Sequence, residues 1–82
     1  MARRSGSQSE GVSGALRALG MTPLEAEAYG FLVREGSSTG YRVAQAIGRP
    51  AGNMYKSLEA MEARGFVMSS DEEGGRLYRA VP

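Results

Sequence analysis

Asn53, Lys56 and Ser57 recur at i, i+3 and i+4 within a stretch of helical periodicity, a spacing that sets them on one helix face. An amide, an ammonium and a hydroxyl on one narrow stripe, with Ala60 a turn further on, suit the reading of base edges. The amide can pair bidentately with adenine N6 and N7, and the ammonium can reach guanine O6 and N7 or a phosphate. The competing use of the stripe is an ordinary solvated helix face, because exposed Lys and Ser are common. Ser38 and Thr39 stand at a helix start, where hydroxyl and backbone N–H groups hold a phosphate or simply cap the helix. Tyr41, Arg42 and Arg49 flank a turn as candidates for backbone contacts, with an Arg42–Glu35 pair as the alternative for that cation. Tyr55 lies beside an apolar stripe, so packing is its first use and a phosphate contact through its hydroxyl the second. Arg76 and Arg79 either grip the minor groove or backbone, or offset Asp71, Glu72 and Glu73 across a hairpin.

Other chemistries find little to work with. Cysteine and histidine are absent, which removes the usual zinc and haem ligands and any thiol–imidazole pair. Asp71, Glu72 and Glu73 are consecutive and lack the alternating spacing of a calcium loop. Gly74 and Gly75 alone make no phosphate-binding loop. No enzyme activity, cofactor or metal is expected.

Eighty-two residues, 41% of them hydrophobic, make one domain near the size at which a single core is marginal. No apolar run approaches the roughly 20 residues of a membrane span, and Arg3 and Arg4 precede Gly and Ser rather than the apolar core of a signal peptide. A cytoplasmic protein without membrane contact is expected. The net charge of +1 hides an uneven distribution. Residues 36–58 carry +3 with no acid, residues 59–73 carry −4, and residues 74–82 carry +2. The positive part coincides with the face to be turned towards phosphates.

Positioning those side chains falls to a short series of elements. Residues 1–13 are rich in Gly, Ser and Arg and read as a flexible tail ahead of a domain over 14–82. Ala15, Leu16, Ala18 and Leu19 predict a short helix over 14–19, stopped by Gly20. Thr22, Pro23 and Glu25 form a capping box with proline at the first helical position. Leu24, Ala28, Phe31 and Leu32 then define one apolar stripe, which Gly36 ends. Gly30 within this helix costs about 1 kcal/mol relative to Ala and reads as room for a neighbouring helix. Thr39 caps a helix over 40–47 with Val43, Ala44 and Ile47 as its apolar residues, and Gly48, Arg49 and Pro50 stop it. A helix over 51–64 follows, with Met54, Leu58 and Met61 on its inner stripe, Arg64 favouring its negative end and Gly65 its cap. Phe66–Ser70 and Arg76–Val81 read as strands joined by Asp71, Glu72, Glu73, Gly74 and Gly75. The fold class is mainly α with a small β-hairpin (α+β): a winged helix-turn-helix of three main helices and a two-stranded wing.

The residues carrying this pattern resemble the DNA-binding domain of the TrmB family of sugar-responsive transcriptional regulators. The resemblance runs from about Ala18 to Pro82. It takes in Leu19 to Thr22, Glu25, Ala26, Tyr29, Gly36, Thr39, Val43, Ala44, Gly48 and Pro50, then Tyr55, Leu58, Glu59 and Arg64 to Val67. The closing Tyr78, Arg79, Ala80, Val81, Pro82 sets it apart from the broader winged-helix regulators. Two positions depart from the family pattern. Pro50, Ala51, Gly52 and Asn53 stand where the recognition helix usually opens with a Pro-Arg-Ser-Lys type of run, and the wing carries three acids where it is usually basic. The resemblance also implies an effector domain and a dimerising helix, neither of which lies within residues 1–82.

The expected function is sequence-specific binding of double-stranded DNA by a transcriptional regulator, with the 51–64 helix in the major groove and the wing at 66–81 beside it. A homodimer or a partner subunit is expected, since one module covers one half-site. The alternative from another class is a winged-helix module for protein–protein interaction that does not bind DNA.

Overall fold

The computed structural model describes residues 14–82; the tail expected over residues 1–13 lies outside them. A short helix α1 spans 14–18 and closes by Leu19 N donating to Leu16 O at 3.0 Å and Gly20 N to Arg17 O at 2.9 Å. Helix α2, Pro23–Glu35, starts at the capping box: Thr22 Oγ1 accepts from Glu25 N at 3.1 Å, and Glu25 Oε1 accepts from Thr22 N at 3.0 Å. It buries Glu25, Ala26, Ala28, Phe31 and Leu32. Helix α3 is Gly40–Ile47, capped by Thr39 Oγ1, which accepts from Arg42 N at 3.1 Å. Its C-terminus is Gly48 in the left-handed region, φ 80° and ψ 36°, where a Cβ would be strained. Helix α4, Ala51–Ala63, begins at Pro50 without a side-chain cap.

The expected helices thus form, with α1 and α4 each ending one residue early. The hairpin differs in its bounds. Strand β2 is Val67–Glu72 and strand β3 is Gly75–Ala80, joined by Glu73 and Gly74 alone. Asp71 pairs with Arg76 and Glu72 with Gly75, so two of the three wing acids belong to the ladder instead of the loop. An Asp71–Arg76 ion pair at 3.0 Å offsets the poor strand propensity of aspartate, and Gly75 supplies φ 121° at the turn.

A third strand, β1 (Ser38–Thr39), was not foreseen. It pairs antiparallel with β3, Ser38 opposite Tyr78 and Thr39 opposite Leu77, giving the order β1-β3-β2. β3 is therefore central, and Tyr78 on it is almost fully buried. One core joins all the elements. Ala28 and Leu32 of α2, Val43 and Ala44 of α3, Met54, Leu58 and Met61 of α4, and Val67 and Tyr78 of the sheet are all buried in it. At about 25 cal/mol per Å² of apolar area, this shared core is what fixes α4 relative to α3. Tyr29 Oη also donates to Val81 O at 2.6 Å and ties α2 to the chain beyond β3.

Gly30 has no neighbouring helix against it. A Cβ there would meet only Arg34 Nη1 of its own helix, at 3.4 Å, so the expected close approach does not occur at this residue. It occurs at Gly40. A Cβ on Gly40 would lie 2.5 Å from Tyr55 Cε1, well inside van der Waals contact, so the first turn of α3 receives the Tyr55 ring of α4 only because residue 40 is glycine.

Candidate nucleic-acid interface

α4 presents its outer stripe as its periodicity requires. Met54, Leu58 and Met61 have no exposed surface, and Asn53, Lys56 and Ala60 on the far side are exposed, with Ser57 half-buried at the edge. Lys56 and Arg42 have no ion-pair partner among the described residues; the Arg42–Glu35 pair considered from sequence is not formed. Tyr41 and Arg42 are exposed on the first turn of α3, the turn whose N–H group Thr39 caps. Tyr55 is partly exposed while its ring lies over Gly40, so the packing role read from sequence is present.

Three residues of the expected set are otherwise engaged, and a fourth, Arg79, touches only a weak acceptor. Ser38 is only 3% exposed and its hydroxyl donates to Gly36 O at 3.0 Å, so burial removes that hydroxyl from any phosphate-facing surface. Arg49 lies 3.6 Å from Glu27 of α2, both about half exposed, a pair that water screens strongly. Arg76 Nε donates to Asp71 Oδ1 at 3.0 Å. The hydrogen bond and charge of Asp71 hold the Arg76 guanidinium above its ordinary value. Arg79 points its Nη2 at Met68 Sδ, 3.3 Å away.

The electrostatic result is a divided molecule. α3 and the start of α4 offer Arg42 and Lys56 with no acid among residues 36–58, whereas Glu59, Glu62, Asp71, Glu72 and Glu73 gather along the end of α4 and the hairpin. Glu62 is held there by Ser69, whose hydroxyl donates to Glu62 Oε2 at 2.8 Å. Burial pushes the Tyr78 phenol above its ordinary value; Arg76 draws it the other way, and the nearby charges of Glu59 and Glu62 add a smaller upward push.

Sequence reading missed two contacts that position this face. Arg64 reaches back from the end of α4 to Glu25 Oε1 at 3.2 Å and Gly20 O at 2.6 Å, and stacks 5.0 Å from the Phe66 ring centroid. It was expected to serve the carbonyl end of its own helix. Its two hydrogen-bond partners lie 39 and 44 residues away, beyond the reach of any local pattern. The Gly40–Tyr55 contact had a signal, a glycine in the first turn of a helix, but nothing local names the ring that fills the space.

The profile of the family described as the sugar-specific transcriptional regulator TrmB matches residues 16–82. Among solved structures, TrmBL2, described as an archaeal chromatin protein with a novel mode of DNA binding, superposes with a TM-score of 0.79 at 28% identity. That superposition covers 92% of this chain and 29% of TrmBL2, so the chain spans under a third of that protein's length. The Zα domain of PKZ from Carassius auratus, solved in complex with Z-DNA, has a TM-score of 0.66 at 21% identity, covering 71% of this chain and 92% of the domain. YusO from Bacillus subtilis gives 0.75 at 10% identity, over 98% of this chain and 60% of YusO. At these identities the last two establish a common winged-helix fold. No curated protein matches the chain. No helix among the described residues is long and apolar enough to cross a membrane. The family is one of DNA-binding regulators and not of enzymes, and with the match running from within α1 through every later element, the chain belongs to the TrmB family of sugar-specific transcriptional regulators.

Proposed function

We propose that this domain binds double-stranded DNA with sequence preference, within a transcriptional regulator, by laying α4 in the major groove and the β2–β3 hairpin beside it. The observation that carries this reading is the exposed outer stripe of α4, the polar Asn53 and Lys56 with the small Ala60, set opposite a fully buried apolar stripe. Asn53 is the candidate for adenine N6 and N7, and Lys56 for guanine O6 and N7 or a phosphate. Arg42, Tyr41, Thr39, Arg49 and the Tyr55 hydroxyl surround that stripe as backbone contacts, with Ser57 at its edge. Arg79, and Arg76 once released from Asp71, serve the strand passing the wing. These contacts position the domain, and the base-edge pair specifies the site. So few cations give a single copy weak affinity. The functional form on DNA is a dimer or a larger assembly, in the cytoplasm, with two half-sites joined across an operator.

A second reading has its own support. Pro50 gives α4 no side-chain cap, and Asp71, Glu72 and Glu73 crowd the wing, features that suit a winged-helix module for protein contacts. A salt titration of binding to mixed double-stranded DNA separates the two. Binding whose log K falls by about 0.9 per phosphate contact with log salt, followed by enrichment of particular sequences on selection, supports the DNA reading. No binding even at low salt supports the protein module.

A further inference from the structure

Four methionines lie among the described residues, and three are sealed: Met54 and Met61 have no exposed surface and Met21 has 4%. Met68 is 49% exposed, on strand β2 opposite Arg79. Arg79 Nη2 sits 3.3 Å from its sulfur. A thioether is a weak acceptor, so this contact aligns the guanidinium without holding it. Unlike Arg49 and Arg76, Arg79 has no ion pair among the described residues, which leaves it the free cation of the wing.

We propose that Met68 is a peroxide-addressed modification site that switches the availability of Arg79 to DNA phosphate. In the step, the Met68 sulfur lone pair attacks one oxygen of a hydroperoxide. The O–O bond breaks, an S–O bond forms, and the departing oxygen leaves as water or an alcohol by taking the proton of the hydroxyl transferred to sulfur. Sulfur is oxidised by two electrons and the peroxide reduced by two. Exposure selects the residue, since susceptibility to oxidation follows access, and burial shields Met21, Met54 and Met61. The product differs from the thioether in one decisive respect: its oxygen is a strong acceptor with partial negative charge, placed where Arg79 already points. Arg79 then donates to the sulfoxide and is drawn away from phosphate. Because the β2–β3 ladder fixes the Met68–Arg79 register, the exchange requires no backbone movement. The phosphate half of this inference rests on the DNA reading above, and the chemical half does not.

The test treats the full chain with hydrogen peroxide and maps the added oxygen by peptide mass spectrometry. Side-chain guanidinium resonances and binding to mixed double-stranded DNA across a salt series are recorded before and after treatment. The expected result is oxygen on Met68 with Met21, Met54 and Met61 unmodified, a shifted Arg79 resonance, and severalfold weaker DNA binding with a salt slope shallower by about 0.9. Met68→Leu should bind as the untreated chain does and ignore peroxide, and Arg79→Ala should bind weakly with no further loss on oxidation. Oxygen spread equally over the buried methionines overturns the site. Selective oxidation with an unmoved Arg79 resonance and unchanged DNA binding overturns the switch. An untreated chain that binds no DNA fails the DNA reading and removes the phosphate half, while the Arg79 resonance still decides the sulfoxide contact.

Discussion

Glu25 Oε1 accepts from Thr22 N at 3.0 Å, within its own helix cap, and from Arg64 Nη1 at 3.2 Å, at the far end of α4. One carboxylate oxygen therefore fixes the start of α2 and receives the end of the helix that carries the exposed Asn53–Lys56 stripe. Its side chain is 7% exposed and that of Arg64 40%, so the pair sits at the edge of the core. The tilt of α4 is anchored at both ends, by Arg64 against α2 and by Tyr55 against α3.

Arg64→Ala removes that clasp and leaves a nearly buried carboxylate with one donor. Loss of a buried pair's partner costs roughly 3–5 kcal/mol. Solvent around Arg64 lowers the expectation to about 1–2 kcal/mol, read as a fall in the urea midpoint at constant slope. Arg64→Lys should recover only part of it, since an ammonium cannot reach Glu25, Gly20 O and the Phe66 ring in one geometry. A midpoint unchanged in Arg64→Ala would show that the clasp contributes nothing.

Gly40→Ala should destabilise the fold even though alanine is the better helix former by about 1 kcal/mol. The new Cβ meets the Tyr55 ring at 2.5 Å, and relief requires that ring to move or α3 and α4 to part, at a cost of about 1–3 kcal/mol. In a Tyr55→Ala background the same substitution should be neutral or stabilising. The double-mutant cycle measures the coupling; additive effects would refute the contact.

These contacts mark where sequence reasoning stopped. Helix starts and stops were legible because their causes are local: Thr22 and Glu25 lie three residues apart, and Thr39 caps its own first turn. The outer stripe of α4 followed from the period of Met54, Leu58 and Met61. Strand β1 was invisible because two residues, Ser38 and Thr39, carry no alternation; their strand character comes entirely from pairing with β3. At the turn the sequence stops the first strand two residues early and starts the second one residue late, because Asp71 and Glu72 look like loop and only their partners Arg76 and Gly75 make them ladder; at the outer ends it overruns by one residue each, at Phe66 and Val81. Ser38 reads from sequence as part of a helix start able to hold a phosphate, whereas its pairing with β3 buries it.

Tyr78 should give the fold a dependence on alkaline pH. Its phenol is raised above the ordinary value in the folded chain, chiefly by burial. The folded state thus retains a proton that the unfolded state gives up near pH 10. This contribution is fully present below about pH 10 and is lost as pH rises through the higher folded value. Subtracting the phenolate absorbance of Tyr78→Phe from that of the parent chain should isolate a transition above pH 10. The alkaline slope of stability should also be shallower in the variant. A Tyr78 transition at or below its ordinary value would sink this.

Asn53→Ala and Lys56→Ala should separate specificity from affinity. Loss of an amide paired with adenine costs about 1–3 kcal/mol on the preferred sequence and little elsewhere, so Asn53→Ala should flatten discrimination between sequences. If Lys56 reaches a phosphate, its alanine variant weakens all sequences alike and lowers the salt slope by about 0.9. Both are checked by titrating a selected site and a scrambled site across salt. Equal, sequence-independent effects of the two variants would count against base reading by α4.

Asp71 offers the sharpest test of how the wing meets DNA. Its carboxylate holds Arg76 Nε at 3.0 Å, and with Glu72 and Glu73 it leaves the hairpin more acidic than basic. Asp71→Asn keeps the size of the side chain but removes the charge that attracts Arg76 and repels phosphate. If the wing lies beside the backbone, a released Arg76 adds up to one phosphate contact, so binding should tighten and the salt slope should steepen by about 0.9. The cost to the fold should stay below about 1 kcal/mol, because both partners are exposed to water. Asp71→Asn combined with Arg76→Ala should cancel the steepening while leaving the hairpin ladder intact, as judged by the cross-strand contacts of Ser69 and Tyr78. A single substitution that tightens nothing would place the wing away from the phosphates and confine the footprint to α3 and α4.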